Sequence, residues 1–199
     1  MYNIVTIERR YASGGNEIGK KLAAELGYEF HDRNILIEAA KNLGISFHQI
    51  EGLEESSSGG ALFNLSKTAF GGTSNSKSLP LADKLFLEEK RIIEEIAEKG
   101  NCVIVGRASG YILREKDNNL KVFIDSDKSK RIQRAIKKEG IDGAEAENAL
   151  KKNDKRRSGF YNSVTNWVWG APEYYELYLN AGRLGIDRCV RILAETVKE

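Results

Sequence analysis

Residues 2–23, YNIVTIERRYASGGNEIGKKLA, constrain this chain more than any other stretch. Residues 2–7 are an apolar, β-branched run suited to a buried strand, and residues 9–15 read as a basic, glycine-containing turn. From Asn16 onward, Ile18, Leu22, Ala23 and Leu26 recur at helical spacing. A strand, a glycine turn and a helix together form a frame for phosphate. Backbone N–H groups and the positive end of the helix dipole converge there on an anion. The familiar phosphate loop runs glycine, four residues, Gly-Lys and then Ser or Thr. Here Gly14 is followed by Gly15, Asn16 and Glu17, so the lysine is missing.

Size and charge narrow the classes. The 199 residues fit one domain or a core with a small inserted lobe, and a 41% hydrophobic share supports a real core. Thirty-one Lys and Arg against 29 Asp and Glu leave a formal charge of +2, which argues against a dedicated nucleic-acid binder. No apolar run approaches the roughly 18 residues of a membrane span. The N-terminus enters a strand with no signal-like segment, so a cytoplasmic location is expected. Cys102 and Cys189 are expected as buried free thiols. His31 and His48, with no close cysteine pair, give a structural zinc site little support.

The rest of the chain alternates strands and helices. A short strand at residues 28–32 ends in Asp32, helices are predicted over residues 34–43 and 46–53, and Asp83 is expected to cap a helix over residues 84–99. An apolar strand, residues 102–105, runs into Gly106-Arg107, and residues 120–125 form another ending in Asp125. Helices over residues 127–138 and 142–160, a strand at 174–180 and a helix at 185–197 complete the pattern. Between them, residues 55–82 are rich in Gly and Ser and read as an inserted flap. Five strands alternating with helices predict an α/β fold with a mainly parallel sheet. Ligands bind such sheets at the carboxyl ends of the strands, where residues 8–15, Asp32, Gly106-Arg107 and Asp125-Ser126 collect.

Six segments in order, TIERRYASGGNEIGKKLA, FHDRNIL, VIVGRASGYIL, VFIDSDKSKRIQR, NDKRRSGFY and YYELYLNAGRLGID, resemble the cytidylate-kinase-like family of P-loop proteins. The resemblance implies a nucleoside monophosphate kinase fold: a single domain over residues 1–199, a five-stranded parallel sheet flanked by helices, an acceptor-side insert at 45–82, and lid and acceptor-binding helices at 127–160. It also implies ATP-dependent phosphoryl transfer with Mg²⁺ to a nucleoside monophosphate, CMP or dCMP foremost. Small-molecule nucleotides would be its partners, with neither nucleic acid nor membrane. Such transfer needs alignment and positive charge more than covalent help. On that basis Ser13, Gly14, Gly15, Asn16 and Arg10 are expected at the donor phosphates, and Arg9, Arg107, Arg131 and Arg134 around the transferring group. Arg107 is also expected on the acceptor phosphate, where its planar fork makes two hydrogen bonds. Asp32, Asp154 and Arg157 are expected on the acceptor's sugar and base. Tyr161, Trp167 and Trp169 can stack on a base but are read first as packing, and Asp125 first as structural.

The sequence departs from the family's pattern around the loop. Ala12 replaces a usual glycine, Arg10 an acidic residue, and Asn16 a frequent arginine; Leu150 replaces a basic residue, with Lys151 or Lys152 as possible substitutes. Two readings follow. The chain is an active kinase whose missing lysine is replaced by Arg9, Arg10 or the lid arginines, or it is a nucleotide-binding regulatory module. A kinase of another small hydroxyl or phosphate acceptor is a third.

Overall fold

The computed structural model describes residues 1–46, 49 and 79–199. Its centre is a five-stranded sheet, all parallel: β1 (Ile4–Arg9), β2 (Glu29–His31), β3 (Cys102–Val105), β4 (Asn119–Asp125) and β5 (Leu177–Asn180), in the spatial order β2-β3-β1-β4-β5. Successive side chains on a strand face opposite ways. In β1, Ile4 joins one core while Val5 and Ile7 join the other; in β3, Cys102 and Ile104 face one side, Val103 and Val105 the other. Both faces are therefore apolar and both must be covered.

Helices α1 (Gly15–Leu26) and α8 (Ile186–Lys198) cover the Val5 face through Ile18, Leu22, Val190 and Leu193. On the Ile4 face lie α2 (Arg33–Asn42), α3 (Leu81–Lys99) and the short α4 (Ser109–Ile112), with Phe86 and Ile93 in the core. Helices α5 (Lys128–Glu139) and α6 (Ala146–Val164) follow β4, and a four-residue α7 (Ala181–Leu184) links β5 to α8. The chain leaves β1 towards one edge of the sheet and β3 towards the other. A crevice therefore opens at the carboxyl ends of β1 and β3.

Several predicted boundaries move, each for a local reason. β1 begins at Ile4 and runs through Glu8 and Arg9, which pair with Phe123 and Ile124, so Arg9 belongs to the strand and not to the turn. α3 starts at Leu81 with Pro80 as its N-cap, because proline suits a helix entrance. Asp83 is thus no cap; it is buried inside the helix, and burial raises its pKa. α6 starts four residues later than expected, since Asp142 Oδ1 instead accepts from the Ala144 amide at 2.8 Å in a turn. β5 is shortened by a 3-10 turn at Pro172–Tyr174. The short helices α4 and α7 were not foreseen. Both cysteines are free and buried, the Cys102 thiol pushed up to about 11 by burial. The predicted helix at 46–53 and the flap at 45–82 lie almost wholly outside the described residues. Among the described residues no helix is long and apolar enough to cross a membrane.

Ile93 is fully buried between α3 and the sheet. Its truncation leaves a cavity, so Ile93→Ala should lower unfolding free energy by about 3 kcal/mol in a urea titration.

Candidate active site

The loop after β1 owes its shape to two backbone features. Gly14, the N-cap of α1, has φ +94°, and a methyl group placed there would meet Ile186 Cδ1 at 2.5 Å and the Arg134 guanidinium carbon at 3.6 Å. Ala12 holds a left-handed φ of 56°, a conformation glycine adopts without strain. Its methyl group, however, packs against Ala135 of α5 and Leu150 of α6. The same contact accounts for Leu150, where a basic residue would disrupt a buried apolar cluster. Ser13 Oγ donates to the Arg10 carbonyl at 2.9 Å, closing the turn.

Position 15, where a phosphate loop carries lysine, is occupied from elsewhere. A Cβ on Gly15 would lie 2.7 Å from Arg9 Cβ and 2.9 Å from Arg9 Cγ. The stem of Arg9 fills that space, and its guanidinium continues against Gly106, whose φ of +84° and lack of a side chain admit it. Burial lowers the Arg9 pKa, and Glu8 acts against that fall while Arg107 adds to it. Arg10 turns away from the loop: its Nε is 3.3 Å from Asp125 Oδ2, its Nη1 3.6 Å from Asp154 Oδ2, and its guanidinium lies over Trp169.

Asp154 is a tether between loop and helices. Its Oδ1 accepts from the Tyr11 amide at 2.8 Å and its Oδ2 from Arg131 at 2.6 Å, while Arg131 Nε donates to the Tyr11 carbonyl at 2.7 Å. Arg131 is buried in this arrangement. Both residues hold the loop in place, and neither lines the cavity that opens beside it. Arg134, three residues on, pairs with Glu17 of the first helical turn at 2.5 Å and sits over the loop glycines. Asn16 donates to Asp32 Oδ2 at 2.8 Å, joining the loop to the end of β2.

The cavity has a volume of about 280 Å³ and is walled by Glu8, Arg9, Asp32, Arg107, Arg157 and Phe160 among others. Arg107 follows β3 with φ +59°, pairs with the wholly buried Glu89 of α3, and lies 4.5 Å from the Phe160 ring centroid. Arg157 donates to the Arg9 carbonyl at 3.1 Å; burial and the neighbouring Arg9 charge lower its pKa to about 9. With Arg33 and Arg156 the walls carry five arginines. Lys151 and Lys152 are exposed, and Lys151 pairs with Glu147. Tyr161 is buried, Trp167 stacks on Tyr174 at 4.5 Å, and Trp169 packs edge-on to Phe123, in keeping with packing roles.

The sequence pattern places Glu8 at the ligand-binding end of the sheet without a role of its own, and does not single out Glu89 or Arg156. Glu89 carried a signal, since it stands on the buried stripe of Leu85, Ile92, Ile93 and Ile96. Glu8 continues the inward alternation of Ile4 and Thr6 in β1. Among the described residues no cluster of three His, Cys, Asp or Glu is placed to hold a metal ion. The carboxylates beside the loop are already engaged: Glu17 with Arg134, Asp32 with Asn16, Asp125 with Arg10, Tyr178 and the Ser126 amide. These residues do not form a protein ligand set for Mg²⁺.

Comparison with known proteins agrees with this geometry. The sequence profile of the cytidylate kinase-like family matches residues 4–183. The chain belongs to that family. Cytidylate kinase from Archaeoglobus fulgidus is 33% identical over 125 residues, covering 60% of this chain and 64% of that protein. The chain thus spans under two thirds of that relative's length. An uncharacterised protein from Eubacterium ventriosum superposes with a TM-score of 0.74 at 23% identity over 98% of both chains. Shikimate kinase from Bacteroides thetaiotaomicron superposes with a TM-score of 0.56 at 15% identity, again over 98% of both. The fold is that of the P-loop kinases.

Burial raises the pKa of Glu8 above its ordinary 4.5, with Arg9 and Arg157 limiting the rise. Folding therefore takes up a proton: the associated stability is complete below the unfolded pKa and is lost as pH rises through the folded one. Glutamine carries no such proton. The melting temperature of Glu8→Gln, relative to the parent, should increase as the pH rises above about 4.5.

Proposed function

We propose that the chain transfers the γ-phosphoryl group of ATP to a nucleoside monophosphate, with CMP or dCMP as the favoured acceptor, in the cytoplasm. Membership of the cytidylate kinase-like family and the P-loop kinase fold supply the reaction class. One observation carries the reading: a cavity walled by Arg9, Arg107, Arg156 and Arg157 opens beside a glycine loop at a helix N-terminus. The loop amides and helix dipole suit the donor phosphates. The arginine walls suit an anionic acceptor and offset the charge that spreads over the transferring group.

In this account Arg9 stands beside the transferring group in place of the loop lysine, and Arg134 covers the loop from the α5 side. Arg107, held by Glu89 and Phe160, presents its fork to the acceptor phosphate, while Asp32 and Arg157 contact the acceptor's sugar or base. Magnesium, which supplies counter-charge to the triphosphate, would arrive with ATP and not through a carboxylate cluster of the described residues. The missing loop lysine favours one second reading, a regulatory module that binds nucleotide without turnover.

A coupled ADP-release assay with Mg·ATP and CMP, dCMP, UMP or AMP separates the two. The kinase reading expects turnover with at least one pyrimidine monophosphate, highest with CMP or dCMP. Nucleotide binding by calorimetry with no ADP release from any acceptor would establish the regulatory reading instead.

A further inference from the structure

Glu89 is wholly buried, and it stands on the inward stripe of α3, one turn from Phe86 and one from Ile93. At the cavity wall it pairs with Arg107 Nη2. Moving both charges out of water is costly, and apolar residues of similar volume commonly stabilise a fold as well or better. The apolar stripe of α3 would accept such a residue at position 89. What a charged partner provides here is direction, since a carboxylate beside a long cationic side chain restricts where its guanidinium points.

Arg107 depends on that restriction. It follows Gly106 with a left-handed φ of +59°, which a residue with a side chain keeps only where its surroundings hold it. Phe160 covers the guanidinium, with Arg107 Cζ 4.5 Å from the ring centroid. Nε is sealed from solvent and has no hydrogen-bond partner among the described residues. An anion in the cavity therefore meets Arg107 end-on, at its terminal nitrogens, and Glu89 fixes one of these. Positive charge itself is plentiful, because Arg9, Arg33, Arg156 and Arg157 line the same cavity. Their number attracts anions of any shape, whereas an oriented fork distinguishes a phosphate monoester.

We propose that Glu89 is a positioning residue that selects for acceptors carrying a phosphate monoester, acting through Arg107 and touching no substrate itself. The identity of the acceptor rests on the kinase reading above; the selection is a property of binding and needs no turnover. Neutralising Glu89 has two physical effects of opposite sign. Losing a negative charge from the wall strengthens the cavity's pull on any anion. Losing the partner of Arg107 releases its guanidinium into many rotamers, and ordering it again opposes binding. Four other arginines already supply the pull, whereas Glu89 is the only carboxylate paired with Arg107 among the described residues, so the second effect dominates.

Calorimetric titration of the parent, Glu89→Gln and Glu89→Asp with CMP, cytidine and ATP tests this. Glu89→Gln should weaken CMP binding about 10-fold or more, the scale of one charge-assisted hydrogen bond, and leave cytidine and ATP affinities unchanged. Glu89→Asp keeps the charge one methylene further back and should lose less of the CMP affinity. In an Arg107→Ala background, Glu89→Gln should have no further effect on CMP. A Glu89→Gln protein that binds CMP as tightly as the parent, or more tightly, would overturn the proposal. Equal losses for CMP and cytidine would do the same, since they mark a merely structural role. Should Glu89→Gln fail to fold, Glu89→Asp carries the same comparison, with weaker CMP and unchanged cytidine expected. A parent that binds CMP no better than cytidine would also overturn it. Absence of ADP release by a parent that binds CMP would instead overturn the kinase reading alone.

Discussion

The packing of Arg9 against Gly15 is the constraint on which the site depends. The arginine stem occupies the volume that a side chain at position 15 would need, so the loop can close over β1 only with glycine there. The guanidinium then runs to Gly106, where a second missing side chain admits it. In the proposed reaction, a charge that a phosphate loop draws from its own helix would be supplied instead by the strand beneath it. The change of source has a structural consequence. A residue on a central strand, paired there with Ile124 of β4, is held more rigidly than one in the first turn of a helix.

The remaining charges divide into those that hold the loop and those that face the cavity. Asp154 gathers the Tyr11 amide, Arg131 and Arg10, fixing the loop to α5 and α6. Removing Asp154 would leave the buried Arg131 without its carboxylate partner, which is destabilising. Arg107 and Arg157 are held as well, by Glu89 and by the Arg9 carbonyl, yet both still reach the cavity wall. Preorganised charge of this kind suits phosphoryl transfer, where the protein's contribution is positioning and electrostatics.

Much of this was legible in the sequence because it follows from local pattern. The strand, glycine turn and helix of residues 2–23, the β-branched run at residues 102–105 and the alternation of elements gave the parallel sheet and the end of it that binds ligand. Arg107 and Arg157 could be placed at the cavity from motif alone. Partnerships between distant residues could not. Arg131 and Arg134 share a helix face by spacing, but Arg131 is consumed by Asp154, 23 residues away, while Arg134 meets Glu17. Arg9, Arg10 and the lid arginines were all candidates for the missing charge, and only the folded backbone separates them. Glu8 could be placed at the ligand-binding end of the sheet but not assigned a role, and Glu89 was passed over, since a charged residue is ordinarily taken to mark the solvent face, whereas here each occupies a core position opened by the cavity.

If Arg9 does the work of the loop lysine, phosphoryl-transfer rates and ATP affinity of Arg9→Ala, and of Arg9→Ala combined with Gly15→Lys, show it most directly. The single variant should lose about 100-fold or more in kcat, the scale of removing one preorganised charge donor. The double variant, with the stem removed and a lysine in the vacated space, should recover a substantial part of that loss. An Arg9→Ala protein that keeps the parent's rate and affinity would contradict the claim.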